Sequence, residues 1–363
     1  MKNIIFALLL VPMWAEAATI KSARTKITVV AVNQNSVLAM KAQQLQPGQW
    51  VTLNKAGDGA GFDYSFIESC QPTGCFDTIL NYADKGFWLP TLKEIHFLGK
   101  GHIAEHKYVH YSEATNKWIT DPRPAWACGQ VANCYGMGHG FEHSAANPLN
   151  GDFYARIQSS SVVYKLNRAT GVWSQLPAAP TLEVAIAIEY FPELGGLLMI
   201  GTTGSESSGQ AHLYRESTGR WERIGTNFPM GAYHNVARYD AVNKIIIFGG
   251  GNGSRNLYKI NASGQVSAIA QAPIPVRVLE NVFTVDPVSG NYLLFGPRGE
   301  FYEYNTNQNS WRALSTANVP IFKSNENQMW MRVAIPISTY GVNAFLVEDS
   351  GNTRVVLYKH FSR

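Results

Sequence analysis

One phrase recurs along the chain: a tyrosine near the end of an alternating strand pattern, a polar turn with Thr-Gly or Asn, then a tryptophan. It runs from Val109 through Tyr111 and Asn116 to Trp118, and from Val163 through Tyr164 and Gly171 to Trp173. It returns from Leu213 through Tyr214 and Gly219 to Trp221, and from Phe301 through Tyr302, Tyr304 and Asn309 to Trp311. A degenerate copy, Leu257 to Gly264, lacks the tryptophan. The tryptophans are spaced 55, 48 and 90 residues apart, the last being two units of 45. Self-similarity at such a period means that one small supersecondary unit is copied, because a single unit cannot bury its own apolar face. The phrase itself describes a strand, a tight Asn/Gly turn and a strand opening on a tryptophan that packs between neighbouring units.

Each unit also carries an earlier strand pair. Asn235–Asp240 is followed by Lys244–Gly251, and Asn281–Pro287 by Asn291–Gly296. Composition agrees with an all-β chain: 12% aromatic, 32 Gly, 17 Pro, and only 15% charged residues against about 25% in an ordinary soluble domain. Four strands per unit at this period predict a β-propeller.

The blade phrase resembles kelch-type propellers, the superfamily that includes the propeller of galactose oxidase. The resemblance rests on Gly249-Gly250-Gly251 after a second strand, the tyrosine of the third and the tryptophan of the fourth, and covers about residues 71–363. Blades are predicted over 71–122, 136–179, 180–229, 230–275 and 276–318. The last segment offers Met331–Ile337, Asn343–Glu348 and Arg354–His360 but no fourth strand, while Trp50-Val51-Thr52-Leu53 near the start is a fourth strand without its first three. Pairing the two closes a ring of six blades and protects both edges. The alternative is seven blades, with residues 18–45 in an extra one.

The chain starts like an exported one. Lys2 precedes the apolar run Ile4 to Val11, and Ala15-Glu16-Ala17 has the form of a cleavage site, so residues 1–17 read as a signal peptide and 18–363 as a single propeller domain. That run is too short to span a bilayer. Four cysteines, in the pairs Cys70/Cys75 and Cys128/Cys134, suit local disulfides in an exported protein. A secreted or periplasmic monomer is expected. The net charge of +4, with no basic block, gives no nucleic-acid footprint.

First-strand starts, and the loops joining second to third strands, share one rim of a propeller. Pooling those positions gathers Asp77, His139, His143, Glu183, Tyr233, His234, Glu280 and Arg332 with His102, His106, Tyr154, Arg156, Asn252, Arg298 and Asp349. His143, His234 and Tyr154 are the candidate catalytic groups, and His102, Arg156, Glu280 and Arg298 the candidate substrate-binding groups. Histidine suits a general base near neutral pH and tyrosine an acid, while arginine holds a carboxylate. The inventory is similar to that of propeller-fold polysaccharide lyases, implying β-elimination on an acidic glycan without metal or other cofactor. The cluster Gly138-His139-Gly140-Phe141-Glu142-His143 lacks the order of a helical zinc site. The rival expectations are a non-catalytic carbohydrate- or protein-binding propeller and a periplasmic sugar mutarotase.

Overall fold

The computed structural model describes residues 36–53, 79–99, 107–121, 138–204, 208–322, 329–349 and 352–360. These form six four-stranded antiparallel sheets, each ordered from an inner to an outer strand. Blade 1 holds Phe87–Leu89, Glu94–Gly99, Lys107–Ser112 and Lys117–Thr120, and blade 2 holds Ser144–Ala146, Phe153–Arg156, Val163–Asn167 and Val172–Gln175. Blade 3 holds Ala187–Phe191, Gly196–Gly201, Gly209–Arg215 and Arg220–Phe228, and blade 4 Asn235–Asp240, Ile245–Gly250, Leu257–Asn261 and Val266–Ala268. Blade 5 holds Val282–Val285, Tyr292–Phe295, Phe301–Asn305 and Ser310–Ala313. Blade 6 takes Arg332–Ile337, Val342–Asp349 and Asn352–Tyr358 from the far end of the chain and Trp50–Leu53 as its outer strand. The chain is therefore a six-bladed propeller closed by an N-terminal strand. Within the stretch assigned to a seventh blade, Val37–Gln44 is a helix, capped by the Ser36 hydroxyl on the Ala39 N–H at 3.1 Å.

The repeated phrase has a geometric cause. Trp118 follows Tyr111, Trp221 follows Tyr214 and Trp311 follows Tyr304 by seven positions, and each pair lies directly opposite across the outer hairpin. The residue before the outer strand, Asn116, Gly171, Gly219 or Asn309, has φ between 51° and 68°, the left-handed region that Gly and Asn enter at least cost. In blade 2 the longer spacing puts Leu166 opposite Trp173 instead. The tryptophans also reach back a blade: Trp221 Nε1 donates to Pro177 O at 3.0 Å and Trp311 Nε1 to Ala270 O at 3.1 Å.

At the axis the inner segments are tied into a collar by backbone hydrogen bonds at every blade boundary. Phe141 N donates to Tyr82 O, Ile188 N to Glu142 O at 3.0 Å, and His234 N to Ala185 O at 2.8 Å. Val278 N donates to His234 O at 3.2 Å, Met329 N to Leu279 O at 2.9 Å, and Ala334 N to Asp84 O at 3.0 Å. Reaching across requires a kink before the inner strand. Tyr82, Phe141, His234, Leu279 and Met331 adopt positive φ there, in five of the six blades. Bulky residues in this region cost of order 1–3 kcal/mol each, so the ring must hold them in place.

Candidate functional site

The collar separates two ends of the axis. At one end the inner strands and the hairpins that follow them enclose a cavity of about 430 Å³, with lining residues from all six blades. Its walls are apolar: Trp88, Leu89, Pro148, Leu149, Pro192, Val242, Pro287 and Pro336 among them. Leu149 and Val242 stand at its mouth, 68% and 48% exposed. Proline and Asx turns shape the hairpins. Asp240 is one such group, its Oδ1 accepting from the N–H groups of Val242 and Asn243.

The cavity floor is charged. Lys85, Glu189 and Arg238 line it, backed by Asp84 and Glu142, and all five are buried. Lys85 Nζ lies 2.9 Å from Glu142 Oε2 and 2.9 Å from Glu189 Oε2, and donates to Ile188 O at 2.6 Å. Arg238 Nη1 holds both Glu142 oxygens at 2.5 and 2.6 Å, and Nη2 reaches Asp84 Oδ2 at 3.1 Å. Burial raises every carboxyl here, and neighbouring charge decides between them. Arg238 and Lys85 outweigh burial at Glu142 and bring it to about 2. Asp84 is driven well above the carboxylate range by burial and by the Glu142 charge beside it. Glu189 is raised by burial, with Lys85 opposing. Lys85 and Arg238 thus sit among three buried carboxyl groups, of which Glu142 ionises most readily. Arg238 Nε, in a residue 4% exposed, has no hydrogen-bond partner.

Sequence reasoning looked to the opposite end and missed this floor. A signal was present: single ionisable residues inside otherwise apolar inner strands, as in Ala187-Ile188-Glu189-Tyr190-Phe191 and Val236-Ala237-Arg238-Tyr239. A buried charge survives only with a partner, so such residues point to one another.

At the opposite end the structure brings together only part of the expected rim. His234 Nδ1 is 2.7 Å from Asn252 Oδ1, which also accepts from Arg277 Nη1 at 3.0 Å, and Arg277 pairs with Glu280. Burial lowers the His234 pKa, and Arg277 adds to that. A polar cleft of about 370 Å³ adjoins, lined by Asn252, Ser254, Arg255, Asn256 and Gln271. His143 is fully buried, with Nε2 3.2 Å from Arg156 Nη1, and burial holds its pKa well below the usual imidazole value. The Phe141 ring occupies the space between the two histidines, 5.6 Å from His143 and 5.3 Å from His234. Arg156, 1% exposed, spends its guanidinium on Val184 O at 3.0 Å and Glu183 O at 3.3 Å, and burial lowers it to about 10.

Tyr154 is not at the rim. It lies between blades 2 and 3, its ring 5.6 Å from Tyr190 and its hydroxyl on Glu216 Oε1, because alternation along the second strand turns it into the blade interface. Burial first and Glu216 second raise its pKa, so it holds its proton. Arg298 is an exposed turn residue whose backbone N–H meets Glu300 Oε2 at 2.7 Å. His102, His106, Asp77 and all four cysteines lie outside the described residues. Among the described residues no group of three His, Cys, Asp or Glu is placed to hold a metal ion, and no helix is long and apolar enough to cross a membrane.

No family model matches the chain, and no curated protein matches it. Two solved structures are similar in course. One, from a nidogen/laminin complex, is 11% identical, covering 66% of this chain and 81% of that one at a TM-score of 0.47. The other, a streptogramin B lyase, is 15% identical, covering 74% and 76% at a TM-score of 0.47. Likeness of that degree carries no function to this chain.

Proposed function

We propose that the chain is a binding propeller whose axial cavity takes a small, largely apolar ligand. The observation that carries this reading is the cavity itself: six blades converge on one apolar-walled space over a buried charged floor. Its volume falls within the range of small-molecule sites, and a few polar groups at the base of an apolar pocket are the usual arrangement for orienting a ligand. A screen of apolar fragments, read by perturbation of the Trp88 indole resonance, tests it. Ser338 is an exposed residue of the cavity lining. Ser338→Trp should block the mouth and remove binding while leaving the melting temperature nearly unchanged; equal binding by this variant would sink the reading.

The polar cleft beside His234 favours a second reading, in which that face holds a hydroxylated ligand such as a glycan. β-Elimination draws less support, since His143 and Arg156 are committed inside the fold and Tyr154 faces a blade interface. Membership of the kelch-type superfamily is part of the same proposal, resting on the Gly249-Gly250-Gly251 run and the Tyr/Trp hairpins. Export to the periplasm or beyond rests on Lys2, the apolar run and Ala15-Glu16-Ala17.

A further inference from the structure

We infer that the polar cleft beside His234 takes a ligand carrying a carboxylate on a hydroxylated body, with Arg255 receiving the carboxylate. This rests on the reading of that face as a glycan-type site and is independent of the axial cavity. The cleft is built on the Gly249-Gly250-Gly251 run. Those three residues have φ of 129°, 62° and 97°, a path open to glycine. The loop they start is tied on several sides. Gly250 N donates to Asn256 O and Gly251 N to Val276 O, both at 2.8 Å, Asn252 N donates to Tyr233 O at 2.9 Å, and Val276 N returns to Ser254 O at 3.0 Å. A Cβ on Gly231 would come within 2.3 Å of Asn252 N, so the loop packs tightly against that neighbour. Residues 252–255 are therefore held in place before a ligand arrives, which lowers the cost of binding.

The groups left over along that loop share one character. Asn252 Oδ1 accepts from both His234 Nδ1 and Arg277 Nη1; an arginine can only donate, so the amide is oriented and its Nδ2 is the end without a partner. Arg255 Nε donates to Ala272 O, and Ala272 N returns to Arg255 O at 3.0 Å. The guanidinium is thereby anchored, while its two Nη groups, on an exposed residue of the cleft wall, make no hydrogen bond or ion pair among the described residues. The Ser254 hydroxyl accepts from Asn256 N at 3.2 Å and keeps its own proton to give. Gln271 Nε2 is spent on Asn256 Oδ1 at 2.8 Å, which leaves Gln271 Oε1 as an acceptor. No Asp or Glu is among the described residues that line the cleft, and the nearby Arg277 is paired with Glu280. Arg255 is thus the unneutralised charge of the wall. Two parallel Nη–H donors match a carboxylate, and the amide and hydroxyl donors beside them match hydroxyl groups. An apolar or cationic ligand would strip water from these donors without replacing it.

The Met230 methyl resonance, from a residue that lines the cleft, reports binding to the full chain. The probes are methyl α-D-galacturonoside, its carboxamide, acetate and a galacturonate trimer. The galacturonoside should bind about tenfold more tightly than the carboxamide, the scale of one hydrogen bond to a charged group, and more tightly than acetate. Arg255→Gln should erase the preference over the carboxamide while the carboxamide still binds and the melting temperature stays nearly unchanged. Should this variant be unstable, salt decides on the unaltered protein: galacturonoside affinity should fall as salt rises and carboxamide affinity should not, and equal slopes would overturn the inference. A trimer that binds more tightly than the single sugar makes the ligand an acidic glycan, and equal affinity makes it a free sugar acid; both agree with the inference. If the carboxamide binds as well as the acid, or Arg255→Gln keeps the preference, the carboxylate rule fails and the glycan reading stands. If acetate binds as tightly as the galacturonoside, the hydroxylated body is wrong. If no probe moves Met230, the inference and the glycan reading both fail.

Discussion

The ring of Trp50 stacks on that of Tyr358 with centroids 4.1 Å apart, joining residues 308 positions apart in sequence across the one hairpin-less strand pair of the ring. Trp50 also meets Phe295 of blade 5 and Phe345 of blade 6 at 6.0 and 5.6 Å. The closing strand therefore bonds its own blade and packs against the preceding one, the double role that Trp221 and Trp311 play elsewhere.

Trp50→Ala should destabilise the protein by about 2–3 kcal/mol, below the usual cost of a fully buried tryptophan because this ring is only partly buried. The check is the urea midpoint, with no change in slope if the blade stays paired. An effect below about 0.5 kcal/mol would mean the closure does not depend on this stack.

Asp84 and Glu142 are adjacent carboxyls shifted in opposite directions, so their amide variants should differ. Glu142→Gln leaves Lys85 and Arg238 with an uncompensated buried charge and should cost about 3–5 kcal/mol. Asp84→Asn replaces a group that burial and the Glu142 charge hold toward its protonated form, and should cost less at pH 7 than Glu142→Gln. Equal losses in chemical denaturation would show that Asp84 is ionised.

Acid should weaken the fold. Glu94, Glu142 and Glu303 are each lowered to about 2, burial being outweighed by His96 and Arg168, by Arg238 and Lys85, and by His360 and Asn291 respectively. Groups with depressed folded values stabilise above the unfolded carboxylate pKa of about 4.3 and lose that contribution as pH falls toward 2. Asp84, Glu189 and Asp240, all raised by burial, act with the opposite sign: their contribution is present at low pH and lost as pH rises toward their raised folded values. With Glu216 also lowered, burial there being outweighed by Lys165, Tyr154 and Tyr190, the four lowered groups outnumber these three and the urea midpoint should fall from pH 5 to pH 3. Glu303→Gln should flatten that fall; an unchanged slope would contradict the assignment.

Arg156→Met should cost about 1.5–3 kcal/mol, from lost charge-assisted hydrogen bonds to Glu183 O and Val184 O. Ligand binding in the axial cavity should be unaffected, since Arg156 lies beyond the collar. A binding defect at unchanged stability, measured by calorimetry on the same sample, would instead place Arg156 in a ligand site.

The candidate site was less legible than the fold because rim membership is a topological property and exposure is not. His143 and His234 do lie at inner-strand starts, as their positions before Ser144 and Asn235 imply. Neither their burial nor the Phe141 ring between them follows from position, since both depend on the left-handed kink at Phe141 and the collar it joins. Tyr154 was pooled by loop proximity, and the side to which its strand turns it decided the outcome.

Local chemistry determined the blades. The seven-residue Tyr–Trp spacing, the Asn or Gly that can enter the left-handed region, and the paired apolar strands fix each hairpin through contacts within about ten residues, so they are written in the sequence. The unpaired fourth strand at Trp50 likewise required a partner, and only the last blade lacked one. The tertiary structure alone decided which inner-strand residues meet at the axis. Asp84, Lys85, Glu142, Glu189 and Arg238 come from four blades and span 154 positions from Asp84 to Arg238. Their ion pairs form only when ring closure sets them within 3 Å or so of one another in a buried space.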